Sequence, residues 1–239
     1  MRSNIDLVIL AGGKGTRLNK YLNGTCKPLI KINGKPFLDY LLYQVSKYNI
    51  NNIIILAGYK GRQIYRKYNG KTINSIKIKC IIEKKPMGTG GALVLAKNEI
   101  SKKFLLINGD TIFNINLNNI IKKKLKNNHI FLALTKSKNK NKNGKLNNLN
   151  IKKDYIKFGK NYKYQNGGLY LLNKSILKNL KSNNFISFED IIQKEIRLNR
   201  VLGKYYKAFF LDIGTPKNLS LSKKLFPNLF NKVDANNYF

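Results

Sequence analysis

Three stretches of this chain are too apolar to form a strand with one face in water: residues 5–11, the run in "NNIIILAGY", and the run in "KFLLINGD". A half-exposed strand alternates apolar and polar residues, whereas a near-continuous apolar run is covered on both faces, the mark of a parallel sheet. Each run stops at a glycine, namely Gly12, Gly58 and Gly109, and the one charge in the first run, Asp6, stands near its start. Helical patterns lie between them. In "KPFLDYLLYQVSKY", Phe37, Leu38, Leu41, Leu42 and Val45 recur at helical spacing, with Pro36 suited to the first helical position. "GRQIYRKYNG" reads as a short helix, "SIKIKCIIE" as a strand and "GTGGALVLAKNEI" as a glycine-initiated helix. The order β-α-β-α-β-α-β over the first 110 residues predicts a doubly wound α/β fold with right-handed crossovers.

The second half is less regular. "INLNNIIKKKLKN" reads as a helix, "HIFLALT" and "NGGLYLL" as strands, and "LNIKKDYIKF" as a hairpin turning at Lys153-Asp154. Residues 136–147 are rich in lysine and asparagine and read as a loop. "ISFEDIIQKEIRLN" has Ser187 and Asp190 at capping-box spacing ahead of Phe188, Ile191, Ile192 and Ile196. "KAFFLDIGTP" reads as a last strand, and the final "NKVDANNYF" as an end prone to fray. No repeat or linker divides the chain. One domain over residues 1–239 is expected, with a regular first half to residue 110 and the remainder from 111.

Charge raises a competing reading. Lys and Arg number 46 against 11 Asp and Glu, a net charge of +35 in 239 residues. Such a surplus attracts polyanions at low salt. The lysines are spread along the whole chain, however, among the asparagines and isoleucines that an AT-rich genome favours, so no specific nucleic acid is expected. Cys26 and Cys80 lie far apart without CxxC spacing, which argues against a zinc site or disulfide framework. The first apolar run is too short for a signal peptide, and no stretch approaches a membrane span. A cytoplasmic protein without membrane attachment is expected. His129, the only histidine, begins an apolar strand and reads as structural.

The loop after the first strand reads Gly12-Gly13-Lys14-Gly15-Thr16-Arg17-Leu18. A dinucleotide fingerprint starting at Gly13 would need glycine where Leu18 stands, and a Walker loop would need Ser or Thr after the Gly-Lys pair, where Gly15 stands. Both fail. Successive glycines still let backbone N–H groups approach a phosphate, and Arg17 and Lys27 can each hold an anionic oxygen. Open α/β sheets place ligands at the carboxyl ends of their strands. Asp110 follows one apolar run, Asp212 sits in another, and "EKKPMGTGGA" supplies a second glycine-rich turn. Two carboxylates beside a glycine loop and basic groups suit a Mg²⁺–nucleotide site.

Together these segments resemble the sugar-1-phosphate nucleotidyltransferases. "LAGGKGTRL" with Lys27-Pro28, "EKKPMGTGGAL", "INGD", "NGGLYLL" and "FLDIGTP" occur in that family's order. The pairings of "GTGGA" with "NGG" and of "SFE" with "DIG" look most like the D-glycero-D-manno-heptose 1-phosphate guanylyltransferases. The resemblance implies a three-layer α/β/α fold with a mostly parallel, Rossmann-like sheet of GT-A type and a small β annex for the sugar. It implies an enzyme that joins an NTP, here GTP, to a heptose 1-phosphate for surface polysaccharide, releasing pyrophosphate, with Mg²⁺ as cofactor. UTP, dTTP or CTP with a hexose 1-phosphate is the alternative, and a homo-oligomer is compatible with either.

By that resemblance, Leu10 and Ala11 belong to the nucleotide site, the backbone from Gly12 and Gly13 through Gly15 and Thr16 holds the nucleotide phosphates, Arg17 stabilises the departing pyrophosphate and Lys27 holds the α-phosphate. Asp110 and Asp212 carry the metal. Pro86, Gly88 and Thr89 meet base and ribose. Gly109, Asn166 and Gly167 line the sugar pocket, and Lys160, with Lys163 as substitute, holds the sugar phosphate. The sequence departs from the family where Phe158-Gly159-Lys160 replaces a Glu-Lys pair, and where Asn114 and Asn116 stand in place of acidic residues after Asp110.

Overall fold

The computed structural model describes residues 4–126, 129–137, 146–159, 162–178, 180 and 185–230. Its strands are β1 (Asp6–Ala11), β2 (Lys31–Ile32), β3 (Lys35–Pro36), β4 (Asn52–Ala57), β5 (Thr72–Ile73), β6 (Ile76–Ile82) and β7 (Lys103–Asn108) in the first half. The second half adds β8 (Thr111–Phe113), β9 (Ile130–Lys136), β10 (Leu149–Lys152), β11 (Tyr155–Phe158), β12 (Tyr164–Asn173), β13 (Val201–Tyr205) and β14 (Phe210–Asp212). The helices are α1 (Asn19–Leu22), α2 (Phe37–Val45), α3 (Gly61–Tyr68), α4 (Gly88–Leu95), α5 (Asn118–Ile121), α6 (Phe188–Arg197) and α7 (Pro216–Leu229).

A ten-stranded sheet runs in the order β10-β11-β13-β9-β12-β7-β1-β4-β6-β5. The strands β7, β1, β4 and β6 are mutually parallel; β7, β1 and β4 carry the double-sided apolar runs, while β6 alternates, with Lys77 and Lys79 exposed. Alternation sorts those runs onto two faces. Leu7, Ile9, Ile53, Ile55, Leu105 and Ile107 pack with α2, α3 and α7. Val8, Ile54, Leu56, Phe104 and Leu106 pack with α4 and α6. The result is a three-layer α/β/α arrangement. Asp6 opens β1 only 3% exposed. It accepts hydrogen bonds from the Ser101 N–H at 2.8 Å and from the Asn51 and Asn52 amides at 3.0 and 3.2 Å, which offsets its burial.

Beyond this frame the structure adds to and departs from the expected elements. Pro36 precedes α2 at its N-cap rather than occupying its first turn. The helix expected in "INLNNIIKKKLKN" is only the four residues of α5. The Ser187 hydroxyl donates to the Glu189 carboxylate at 3.0 Å and makes no hydrogen bond to the helix backbone, so the capping box does not form. A strand not anticipated, β13, lies parallel to β9. The β10–β11 hairpin turns at Lys153 and Asp154 as expected, both at positive φ, and extends the main sheet through β11–β13 and β10–β12 pairings.

Two features shape the carboxyl edge of the sheet. The ribbon β8–β14 pairs Thr111 with Asp212, and the Ile213 N–H donates to the Asp110 carbonyl at 2.9 Å. Strand β12 runs antiparallel between β7 and β9, with its register against β9 broken between Asn166 and Leu169. Among the described residues no helix is long and apolar enough to cross a membrane. Residues 138–145 of the expected loop, and the carboxyl end from 231, lie outside the described residues.

Candidate active site

A cavity of about 830 Å³ opens over the carboxyl ends of β1, β4, β6 and β7. This volume suits a nucleotide-sized ligand. Leu10, Ala11, Gly12, Gly13, Gly15, Thr16 and Arg17 line it from the first loop, joined by Lys27, Pro86, Gly88, Thr89, Gly109 and Asp110. Asp212, Asn166 and Gly167 do not line it, and Lys160 lies outside the described residues.

The glycine loop is shaped by close approaches. Gly15 takes a left-handed backbone at φ +66°, after which residues 16–18 form a single 3-10 turn. A Cβ on Gly12 would stand 2.7 Å from Glu83 Oε1 and 3.3 Å from the Gly58 nitrogen, so a side chain there would displace the neighbouring carboxylate. The buried Lys27 forms an ion pair with Asp110 through Oδ2, while Oδ1 accepts from the Thr111 hydroxyl at 2.9 Å. The β8–β14 ribbon brings Asp212 to the same corner. A Cβ on Gly214 would meet Asp212 Oδ1 at 3.0 Å, Lys27 Nζ at 3.2 Å and Arg17 Nη2 at 3.5 Å. Asp212 and two cations thus converge around one glycine, with Asp110 joined to them through Lys27.

The second glycine turn, which lines the cavity through Pro86, Gly88 and Thr89, is also shaped by a close approach. The backbone of Ile186 crosses it as a strap: its N–H donates to the Met87 carbonyl at 2.9 Å, and its carbonyl accepts from Gly90 at 2.8 Å and Gly91 at 3.3 Å. Gly88 sits at φ +73°, and a Cβ there would stand 2.4 Å from the Ile186 oxygen. The Thr89 hydroxyl receives the Phe188 N–H at 2.8 Å and donates to Glu189 at 3.2 Å. Gly88 and Gly90 therefore leave the room that Ile186 occupies.

Sequence reasoning missed Glu83 and Glu189, both of which line the cavity. Glu83 directly follows β6, its N–H pairs with the Ala57 carbonyl, and its Oε2 accepts from the Met87 N–H at 3.0 Å. Burial raises its carboxyl above the usual carboxylate range, and the Met87 hydrogen bond partly opposes that rise. Its place at a strand end beside the glycine loop was the available signal. Asn166 has turned inward: its amide donates to the Tyr170 hydroxyl and its oxygen accepts from the Gly168 N–H at 2.8 Å. Gly167 is pressed against Phe113, whose Cε1 would lie 2.4 Å from a Cβ. The bulge instead presents itself to Asn108, whose Nδ2 stands 2.7 Å from where a Gly168 Cβ would be and which does line the cavity.

Comparison with known proteins places this geometry. Residues 7–225 match the nucleotidyl transferase family. The chain is 34% identical over 218 residues to a D-glycero-alpha-D-manno-heptose 1-phosphate guanylyltransferase of Campylobacter jejuni, covering 90% of this chain and 96% of the relative. A protein of the same name from Aneurinibacillus thermoaerophilus is 32% identical, with 92% and 97% covered. The crystal structure of HddC from Yersinia pseudotuberculosis complexed with GMP-PN superposes at a TM-score of 0.74 with 30% identity, covering 93% of this chain and 99% of the other. The chain belongs to the nucleotidyl transferase family. Its fold, its cavity and these relatives define it as an enzyme, a transferase of the sugar-phosphate nucleotidyltransferase type.

Proposed function

We propose that this enzyme joins GTP to a D-glycero-D-manno-heptose 1-phosphate, giving the GDP-sugar and pyrophosphate. The observation that carries the choice of base is Glu83. A carboxylate with two acceptor oxygens suits the N1–H and N2–H donors on the edge of guanine. Uracil and thymine offer a single N–H flanked by carbonyl oxygens, which a carboxylate repels. The relatives named as guanylyltransferases support the same reading.

In this reading an oxygen of the sugar phosphate attacks the α-phosphorus. A new P–O bond forms as the bond to pyrophosphate breaks, and pyrophosphate leaves with the electron pair. The attacking oxygen is already anionic, so no general base is needed. Catalysis rests on positioning and charge neutralisation. Backbone N–H groups of residues 12–16 bind the phosphates, Arg17 steadies pyrophosphate and Lys27 the α-phosphate. Gly109, Asn166, Gly167 and Lys160 belong to the sugar side, with Asn166 acting through Tyr170.

The metal-binding residues would be Asp110 and Asp212. Among the described residues no cluster of three or more His, Cys, Asp or Glu could hold a metal. Mg²⁺ needs no such cluster, since one or two carboxylates with substrate phosphates and water suffice. Asp110 already draws the ammonium of Lys27, which marks the corner as one where a cation is stable. When bound, the ion would neutralise phosphate charge.

Pyrophosphate release with Mg²⁺, each NTP and a panel of sugar 1-phosphates tests the proposal. GTP with a heptose 1-phosphate should be fastest. Faster release with UTP, dTTP or CTP overturns the base assignment, and silence with every pair overturns the reaction. Asp110→Asn and Asp212→Asn should each lower turnover by about a hundredfold or more with the fold retained.

A further inference from the structure

We propose that Glu189 binds hydroxyl groups of the acceptor sugar and sets which sugar is accepted. The inference rests on reading β12 as the strand beside the acceptor sugar. In a chain with 46 basic residues, a carboxylate inside a phosphate-binding cavity is expected to carry a cation. Among the described residues Glu189 has none. Its Oε2 accepts from the Thr89 and Ser187 hydroxyls, and its Oε1 takes no hydrogen bond from any described residue. An anion left this way works against phosphate and gains from neutral donors. Hydroxyl groups of a polyol are such donors, and their hydrogen bonds to a carboxylate are of the stronger, charge-assisted kind.

Position separates this carboxylate from Glu83. Glu189 lies close enough to Tyr170 of β12 that its charge, added to the larger effect of burial, raises the phenol above its ordinary range. The Tyr170 hydroxyl is the partner of Asn166, and its ring stands edge-on to Phe188 with centroids 5.1 Å apart. The β12 bulge in turn presses on Asn108, next to Gly109 and Asp110. Glu189 therefore bridges the strapped Thr89 turn and the strand that adjoins the reacting corner, the place where an acceptor must lie to reach the α-phosphate. Thr89 and Ser187 orient the carboxylate so that its remaining oxygen is free for the ligand.

The test is steady-state kinetics of Glu189→Gln and Glu189→Asp, using whichever NTP and sugar 1-phosphate the parent enzyme turns over fastest. Glu189→Gln should raise KM for the sugar 1-phosphate by about tenfold to a hundredfold, the loss expected for hydrogen bonds to a charged group. KM for the NTP should stay within about twofold, with an unchanged melting temperature, and Glu189→Asp should recover part of the loss. A deoxy-sugar 1-phosphate lacking the contacted hydroxyl should show no difference between parent and Glu189→Gln. An unchanged sugar KM overturns the proposal. So does a parallel rise in both KM values, which would make Glu189 only a latch for the Thr89 turn, and so does lost discrimination between GTP and 2′-deoxy-GTP, which would assign it to ribose. Preference of the parent for another base would defeat the guanine reading and leave this test intact with that nucleotide.

Discussion

Gly88→Ala isolates the contribution of the strap formed by residue 186. Alanine at φ +73° carries a left-handed cost of about 1–2 kcal/mol. Its methyl would also stand 2.4 Å from the Ile186 oxygen and 2.9 Å from the carbonyl carbon, backbone atoms that cannot swing aside as a side chain can. Moving that carbonyl breaks its hydrogen bonds from Gly90 and Gly91, worth about 1 kcal/mol each. A total of about 3–4 kcal/mol follows, and at this chain length it corresponds to a fall of about 6–16 °C in melting temperature. Calorimetry should show that fall, and pyrophosphate release should show a raised KM for the nucleotide because Thr89 moves with the turn. Gly13→Ala is the contrast. Its added methyl meets nothing within 4 Å, so stability should stay within about 0.5 kcal/mol, while nucleotide KM rises because the methyl occupies the phosphate approach. A Gly88→Ala protein that melts within about 2 °C of the parent with unchanged KM would refute the reasoning.

Two further outcomes follow from burial. Glu83 has its carboxyl raised in the folded state, so the native protein holds more protons than the unfolded chain between the ordinary value and the raised one, and stability declines as pH rises through that window. Glu83→Gln removes this decline: its melting temperature should gain on the parent from pH 4 to pH 7, and a constant gap would count against burial as the cause. Both cysteines are buried and unpaired; burial raises the Cys26 thiol and pushes Cys80 up to about 12. Native protein at pH 8 should therefore resist a thiol reagent that labels both sites in guanidinium, and rapid native labelling of either would contradict the packing.

The parallel half of the fold was legible because covering a strand on both faces leaves an unbroken apolar run, and β1, β4 and β7 each end where the cavity begins. Strand β13 escaped notice for the opposite reason. Lys204 is exposed within it, and Gly203 interrupts it to make room for Ile156, whose Cδ1 would lie 2.6 Å from a Cβ. The residues with phosphate chemistry, Arg17, Lys27 and Asp110, could be read because glycine spacing and strand ends point to them. Glu83 offered only its strand-end place and Glu189 nothing comparable, since an acid beside lysines or in the first turn of a helix has an ordinary solvated explanation. Their meaning depends on what folds against them: Gly12 and Met87 for one, Thr89 and Tyr170 for the other. Asn166, which by resemblance lines the sugar pocket, has its amide bonded to the Tyr170 hydroxyl, a partner that nothing in the sequence pointed to.

The placement of β12 has a consequence for biosynthesis. Strand β7 pairs with β1 on one side and β12 on the other, and β12 is its sole partner on that side. While the ribosome is still making residues 109–163, the nascent parallel sheet ends in a bare row of N–H and C=O groups along an apolar strand. Such an edge recruits any extended chain nearby, including a sister copy on the same message. Only when residues 164–173 emerge is the edge closed, and the same ten residues then supply the seam to β9. A stalled or truncated chain ending inside that interval should be found in aggregates or held by chaperones, whereas the completed chain has no such liability at this seam.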